Sequence, residues 1–543
     1  VPASESFDYI VIGAGSAGAV VASRLSEDKD VSVLLLEAGG PDRHPLQLMP
    51  IAFLKVAHHR RYNWGFESEP EPGLNGRRLP VPRGKTLGGS SSVNAMICIR
   101  GHRRDYDLWR QQGLAGWSYA DVLPYFRRLE NHWRGASEFH GAGGPVDVTP
   151  IAYPDNLFEP LREAAVAAGL PVNEDPNGAG QEGISRMEAT IGAGRRASAA
   201  RAYLYPAMGR ANLTIATHAL TTRVLIERHR AVGVEFVQDG QLRTARAERE
   251  VIVSGGAFNS PQVLMLSGIG PADHLRAIGV EPLHDLPGVG ANLGEHPNIL
   301  NIYKARGKPG LTRFLRFDRA MMLAARWFLR HDGAFANNGA AANVFLRTRP
   351  ELERPDVQMI CMSVSNTAEL WFPGLTPPPV YCFSVRVGAL HPQSRGWVKL
   401  RSANPKDSPR ILFNMFSERA DLDTMIRGVR ACREIYRRSP QREMVDHEIA
   451  PGDGCTSDTD LAAFIRANAG HRSHPVGTCR MGQDGMAVVD ADLRVRGIDG
   501  LRVVDASIMP ELPGGNTNVP TIMIGEKAAD MIRGRTLEPA LGV

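Results

Sequence analysis

The sequence predicts an α/β protein of two lobes, the first built on a parallel βαβ core and the second on mixed α+β structure. Three observations carry this. At 543 residues the chain is too long for one ordinary core. A strand, glycine turn, helix and strand open it within about thirty residues. The later stretch 300–470 mixes strands and helices without repeating that opening pattern.

The opening unit begins with Phe7-Asp8-Tyr9-Ile10-Val11-Ile12, a short apolar run rich in β-formers. It enters Gly13-Ala14-Gly15-Ser16-Ala17-Gly18, after which 19–25 reads as a helix and 31–36 as a second buried strand. In such a G-x-G-x-x-G turn the first glycine permits the tight bend and the second lets a pyrophosphate approach the backbone. The third allows close helix–strand packing, and the helix N-terminus faces the phosphates. Glu37 closes the second strand, 19 residues past Gly18, where a carboxylate accepts hydrogen bonds from ribose hydroxyls. That placement disfavours a 2′-phosphate and predicts a Rossmann-type dinucleotide site. It leaves FAD and NAD both open.

Residues 40–90 are rich in Pro, Gly and charge and read as an excursion over this lobe. A helix is expected over 119–131. Short strands over 213–215, 223–227, 232–238 and 250–253 read as a meander feeding the central sheet. In 300–470, strands at 381–387 and 397–400 alternate with helices at 422–436 and 458–468, and this stretch is assigned to substrate binding. Residues 501–505 form another buried strand and 521–532 a closing helix.

Composition narrows the function. The net charge of +5 is spread over scattered Arg pairs such as Arg127-Arg128 and Arg437-Arg438, not interleaved with aromatics, which argues against nucleic-acid binding. The six cysteines lie far apart without metal spacing, which predicts neither a disulfide framework nor a structural metal. No apolar run has membrane-spanning length. Residues 1–6 carry neither the charged nor the apolar part of a signal peptide. A cytoplasmic location is expected, with export left open.

Two further segments separate the cofactors. Gly84-Lys85-Thr86-Leu87-Gly88-Gly89-Ser90-Ser91-Ser92-Val93-Asn94 is a second glycine-rich element, suited to a backbone that donates N–H groups to a bulky planar ligand. A plain nicotinamide-dependent dehydrogenase has no need of it. The run from Gly256-Ala257-Phe258-Asn259-Ser260-Pro261 to Gly268-Ile269-Gly270 reads as a helix between turns. Both segments resemble the signature patterns of the glucose–methanol–choline (GMC) flavin oxidoreductases, with a departure at Cys98 in the first. His474-Pro475-Val476-Gly477-Thr478, Asp505-Ala506-Ser507-Ile508-Met509-Pro510 and Gly515-Asn516-Thr517-Asn518-Val519-Pro520-Thr521 also resemble this family, so the likeness runs from about residue 7 to 533.

The resemblance implies FAD at the interface of a Rossmann-type FAD-binding domain (1–155, 210–300 and 475–543) and an α+β substrate-binding domain (156–209 and 301–474). It implies cofactor contacts from Gly13, Gly15, Ser16, Ala17, Gly18, Glu37 and Ala38 in the opening unit, and from Trp64 and Arg83 in the excursion. The glycine-rich element would add Gly89, Ser90, Asn94, Ala95 and Met96. Val224, Ser254, Gly255, Asp505, Ala506, Asn518, Pro520 and Thr521 complete the set. Val93 stands where some relatives carry a His bonded to the flavin; valine cannot form that bond, so non-covalent FAD is expected.

His474 aligns with the family's catalytic His, and Asn518 with the second polar residue facing it. Hydride leaves a carbinol carbon readily only as the hydroxyl proton departs, which calls for a base of near-neutral pKa; His fits, and an amide can orient the alkoxide. The expected activity is oxidation of an alcohol to an aldehyde or ketone, with dioxygen or another acceptor reoxidising the flavin. A non-redox lyase of the hydroxynitrile type is the alternative that shares this fold. His296 is expected to position a loop, and His471, three residues before His474, lacks the further ligands of a metal site. Ser473, small where relatives often carry an aromatic residue, would widen the pocket.

Overall fold

Two seven-stranded sheets organise the computed structural model, which describes residues 5–152, 157–364 and 368–543. The reading of residues 1–6 as no leader therefore lies largely outside the described residues; Glu5 and Ser6 already belong to the first strand.

Glu5–Ile12 is the centre of the first sheet, and Ile10, Val11 and Ile12 are buried, as expected of a parallel strand covered on both faces. Val33–Leu36 pairs with it in parallel on one side, followed by Leu213–Ala216. On the other side runs Gln241–Val253, whose last residues also pair in parallel with Leu501–Val503. Its first half turns antiparallel to Arg230–Gln238, which pairs in turn with Ala219–Glu227. The sequence suggests only 250–253 as strand here. Charged residues fill the preceding positions, but small Ala245 and Ala247 alternate with them and are buried, so the strand starts at Gln241.

Gly18–Leu25 packs against the closing helix Asn518–Ile532. The approach is close: a Cβ on Gly525 would stand 2.9 Å from the Ala17 carbonyl oxygen. Tyr119–Leu129 is held at its start by a reciprocal cap between Ser118 and Asp121. Among the described residues no helix is long and apolar enough to cross a membrane.

The second sheet is antiparallel, in the order Val445–Ala450, Pro297–Ala305, Cys382–Ala389, Val357–Met362, Ala340–Leu346, Gly183–Arg186, with Gly470–His471 beside the start of Pro297–Ala305. Strand alternation gives it two unlike faces. Val357, Met359, Val385 and Val387 join one core cluster with Leu422, Met425, Ile426 and Val429 of the helix Arg419–Tyr436. Those helix positions follow the spacing of one apolar stripe. Ile360, Met362 and Arg386 point the other way, into a cavity shared with the first sheet.

Candidate active site

The cavity, about 450 Å³, reaches from the carboxyl ends of Glu5–Ile12 and Val33–Leu36 to the inner face of the second sheet. Ligands in open α/β sheets lie at this end of the strands.

Glycine geometry shapes its first end. Gly13 has φ +96°, and a Cβ there would meet the Ser254 carbonyl oxygen at 2.5 Å. Gly89 has φ +52°, and a Cβ there would lie 2.8 Å from Gly15 Cα. The two glycine-rich turns thus touch backbone to backbone, joined by the Gly88 N–H donating to the Ala14 carbonyl at 2.8 Å. Only glycine permits that contact. Glu37 accepts from the Ala14 N–H at 3.0 Å and the Gly39 N–H at 2.7 Å. Burial raises its carboxyl to about 7, against the lowering by those two N–H groups. Ribose hydroxyls would give it further donors, so the cradle and this carboxylate fit an FAD.

The residues expected at a cofactor line this cavity, with three exceptions. Gly18 sits behind the wall; a Cβ on it would stand 1.9 Å from the Gly13 carbonyl oxygen, so its role is helix–strand packing. Val224 is off the cavity, because its N–H donates to Ser267 Oγ at 2.8 Å; Thr221, nearer the start of the same strand, lines the wall instead. Pro520 is buried within the closing helix and does not reach the wall.

At the other end stands His474. Residues 471–476 are clamped against 294–298: His471 pairs with Pro297, Gly294 and Val476 exchange backbone hydrogen bonds, and the Arg472 N–H donates to the His296 carbonyl at 3.0 Å. The His474 N–H donates to both Glu295 oxygens at 2.9 Å. Ser473 lines the cavity with φ +64°, and its carbonyl accepts from Arg83 Nη2 at 2.7 Å. Nε2 of His471 donates to the Pro80 carbonyl at 2.9 Å, and its Nδ1 accepts from the Ser473 N–H at 3.0 Å.

Hydrogen bonds fix the His474 tautomer. Buried His296 holds its Nε2 3.0 Å from the Leu390 carbonyl, which can only accept, so Nε2 carries the proton. Burial, with Arg472 nearby, pushes His296 well below the usual imidazole value, so it is neutral and its Nδ1 is bare. That Nδ1 lies 2.9 Å from His474 Nδ1, which must therefore donate. His474 Nε2 is left unprotonated and accepts from Asn516 Nδ2 at 3.0 Å. His296 is thus a direct partner of His474, beyond the loop-positioning role expected of it.

The expected pairing of His474 with Asn518 is corrected. Asn518 is the first residue of the closing helix, and its Oδ1 accepts from Ser16 Oγ at 2.7 Å, at the glycine turn. Asn516, two residues earlier in the loop, faces His474. The Asn-Thr-Asn repeat offers two candidates, and only the helix start separates them. Sequence reasoning also missed Arg386 and Arg472 on the cavity wall.

Comparison with known proteins finds relatives along nearly the whole chain. The N-terminal model described as GMC oxidoreductase matches residues 7–298, and the C-terminal one residues 392–525. An oxygen-dependent choline dehydrogenase of Rhizobium johnstonii is 45% identical over 530 residues, covering 97% of this chain and 96% of that protein. One from Paraburkholderia xenovorans is 46% identical over 538 residues, 98% and 95% of the two chains. The crystal structure of pyridoxine 4-oxidase from Mesorbium loti superposes with a TM-score of 0.87 at 32% identity, covering 98% of this chain and 100% of that one. Formate oxidase of Aspergillus oryzae gives 0.92 at 27% identity, covering 98% and 99%.

Proposed function

Because the chain belongs to the GMC oxidoreductase family and is an FAD-dependent enzyme that oxidises an alcohol, we propose that His474 Nε2 takes the hydroxyl proton while Asn516 holds the same oxygen. The observation that carries this reading is the bare Nε2 of a buried imidazole meeting an amide N–H on the cavity wall at 3.0 Å. A hydroxyl that displaces this hydrogen bond donates to Nε2 and accepts from Asn516 Nδ2. Bound FAD supplies the hydride acceptor. The proton transfer raises electron density on the carbinol oxygen and so eases departure of the hydride. An amide stabilises the developing alkoxide without competing for its proton. After the transfer, His474 still donates its Nδ1–H to His296, so the ring keeps its orientation.

The turns at Gly13–Gly15 and Gly88–Gly89, with Glu37, would hold the cofactor, and valine at position 93 leaves it non-covalent. Glu37→Gln replaces one of the two oxygens that accept from Ala14, Gly39 and the ribose with a donor, and leaves the glycines of both turns in place. FAD affinity should fall by about 1.5–3 kcal/mol, the range for hydrogen bonds to a charged group, as read by equilibrium dialysis. An unchanged dissociation constant would place Glu37 away from the cofactor.

The pH profile tests the base. Burial, with the positive charges of Arg472 and Arg83 nearby, lowers His474 well below 6.5. A base so lowered remains unprotonated through neutral pH, and activity is lost only when acid protonates it. Anaerobic flavin reduction by an alcohol should therefore hold level through neutral pH and decline below 6.5. A decline centred at or above 6.5 would assign the proton to another group.

A further inference from the structure

The substrate end of the cavity is cationic. Strand alternation turns Phe383, Val385 and Val387 to the helix-covered core and Arg386 to the cavity, in register with Ile360 of the neighbouring strand. Among the described residues nothing accepts from the Arg386 guanidinium. No carboxylate acts on it, and burial alone shifts it, downward. Beside it, Arg472 donates to the Gln358 side chain and to the carbonyls of Gln358 and Arg386, and its buried Nε has no partner. Burial and then the field of Arg386 lower Arg472 to about 9. Burial lowers Arg83 to about 10.

Three guanidiniums thus line the region around His474, with one carboxylate, Glu295, among them. Glu295 is occupied by the N–H groups of His296 and His474. The two carboxylates on the cavity wall, Glu37 and Asp505, are also committed to protein donors. Glu37 accepts from Ala14 and Gly39, and Asp505 from Gly256, Ser260 and Ser507. A cationic substrate would enter a field of its own sign with no counter-charge free to receive it. An anionic one would satisfy the unpaired guanidinium, whose planar fork matches a carboxylate. Leu54, Ile360 and Met362 offer an apolar wall for the carbon skeleton between the two ends.

Resting on the alcohol-oxidation reading above, we infer that the alcohol this chain oxidises carries a carboxylate, which pairs with Arg386. The carboxylate is a handle and takes no part in the bond changes. The carbinol carbon gives its hydrogen as hydride to bound FAD, the hydroxyl proton passes to His474, and the C–O bond becomes C=O. This sets the chain apart from the choline dehydrogenases it resembles, because choline is a quaternary ammonium.

The test uses FAD-loaded enzyme under anaerobic conditions, with matched probes: para-(hydroxymethyl)benzoate against benzyl alcohol, hydroxyhexanoate against hexanol, and choline. Reduction at sub-saturating concentration should favour the carboxylate member of at least one pair by about tenfold or more, and choline should rank below both members. Arg386→Gln should collapse that carboxylate-to-neutral ratio to near one, a loss of about tenfold or more, chiefly through substrate affinity. Arg386→Lys should restore part of that ratio by keeping the charge without the fork. If Arg386→Gln loses its FAD, the wild-type ranking and the lysine variant decide. Choline or the neutral members outpacing the carboxylates, or a ratio indifferent to both variants, overturns the inference and leaves alcohol oxidation standing. Failure of every alcohol to reduce the flavin instead removes the reading on which it rests.

Discussion

His474→Ala slows anaerobic flavin reduction by an alcohol on the order of 10²–10⁴-fold, the contribution of a positioned general base. FAD content stays near that of the wild type. The glycine turns and Glu37 shape the dinucleotide end without His474, whose contacts are Glu295, His296 and Asn516. Raising the pH partly restores the variant, since a more alkaline solution supplies alkoxide without a base. Stopped-flow absorbance reads the rate, and the ratio of flavin to protein absorbance reads the content. Near-normal reduction at neutral pH with FAD fully bound would assign the proton to a different group.

The second large effect separates two asparagines that stand two residues apart. Asn516→Ala removes the donor that faces His474 Nε2 and should slow reduction on the order of 10²–10³-fold, as for loss of one donor to a developing oxyanion. Asn518→Ala removes the acceptor for Ser16 Oγ at the glycine turn, so its loss appears first in FAD affinity. In the double variant His474→Ala with Asn516→Ala the two losses do not add, because both side chains act on one oxygen. Rapid-mixing rates and dissociation constants, measured on both single variants, check the contrast. Slow reduction with normal FAD binding in Asn518→Ala, and neither effect in Asn516→Ala, would reverse the assignment.

The first sheet was legible because its signals are local. The apolar run before Gly13, the glycine spacing and Glu37 each report on neighbours a few residues away, and they form the strand, turn and carboxylate of the dinucleotide end. Positions that depend on register within a short motif were not. Asn516 and Asn518 belong to one tripeptide, and the start of the closing helix decides which faces the cavity. Val224 and Thr221 occupy one strand, and the hydrogen bond to Ser267 pins the former behind the wall. Arg386 was hidden for a further reason. An arginine between two valines reads as the solvent face of a strand. Only the antiparallel second sheet, which comes from distant segments and has its other face closed by Arg419–Tyr436, turns that face into a cavity wall. His296 was visible as a residue but not as a partner, because its meeting with His474 spans 178 positions.

The central claim is that an alcohol gives up a hydride to the flavin as His474 Nε2 takes its proton. Carbinol-deuterated substrate tests this most directly, mixed anaerobically with FAD-loaded enzyme against its unlabelled counterpart. The predicted result is loss of the oxidised flavin absorbance, slowed by deuterium at the carbinol carbon, with one aldehyde or ketone formed per flavin reduced. Flavin that stays fully oxidised while the enzyme cleaves or forms a cyanohydrin would contradict it and make the protein a lyase.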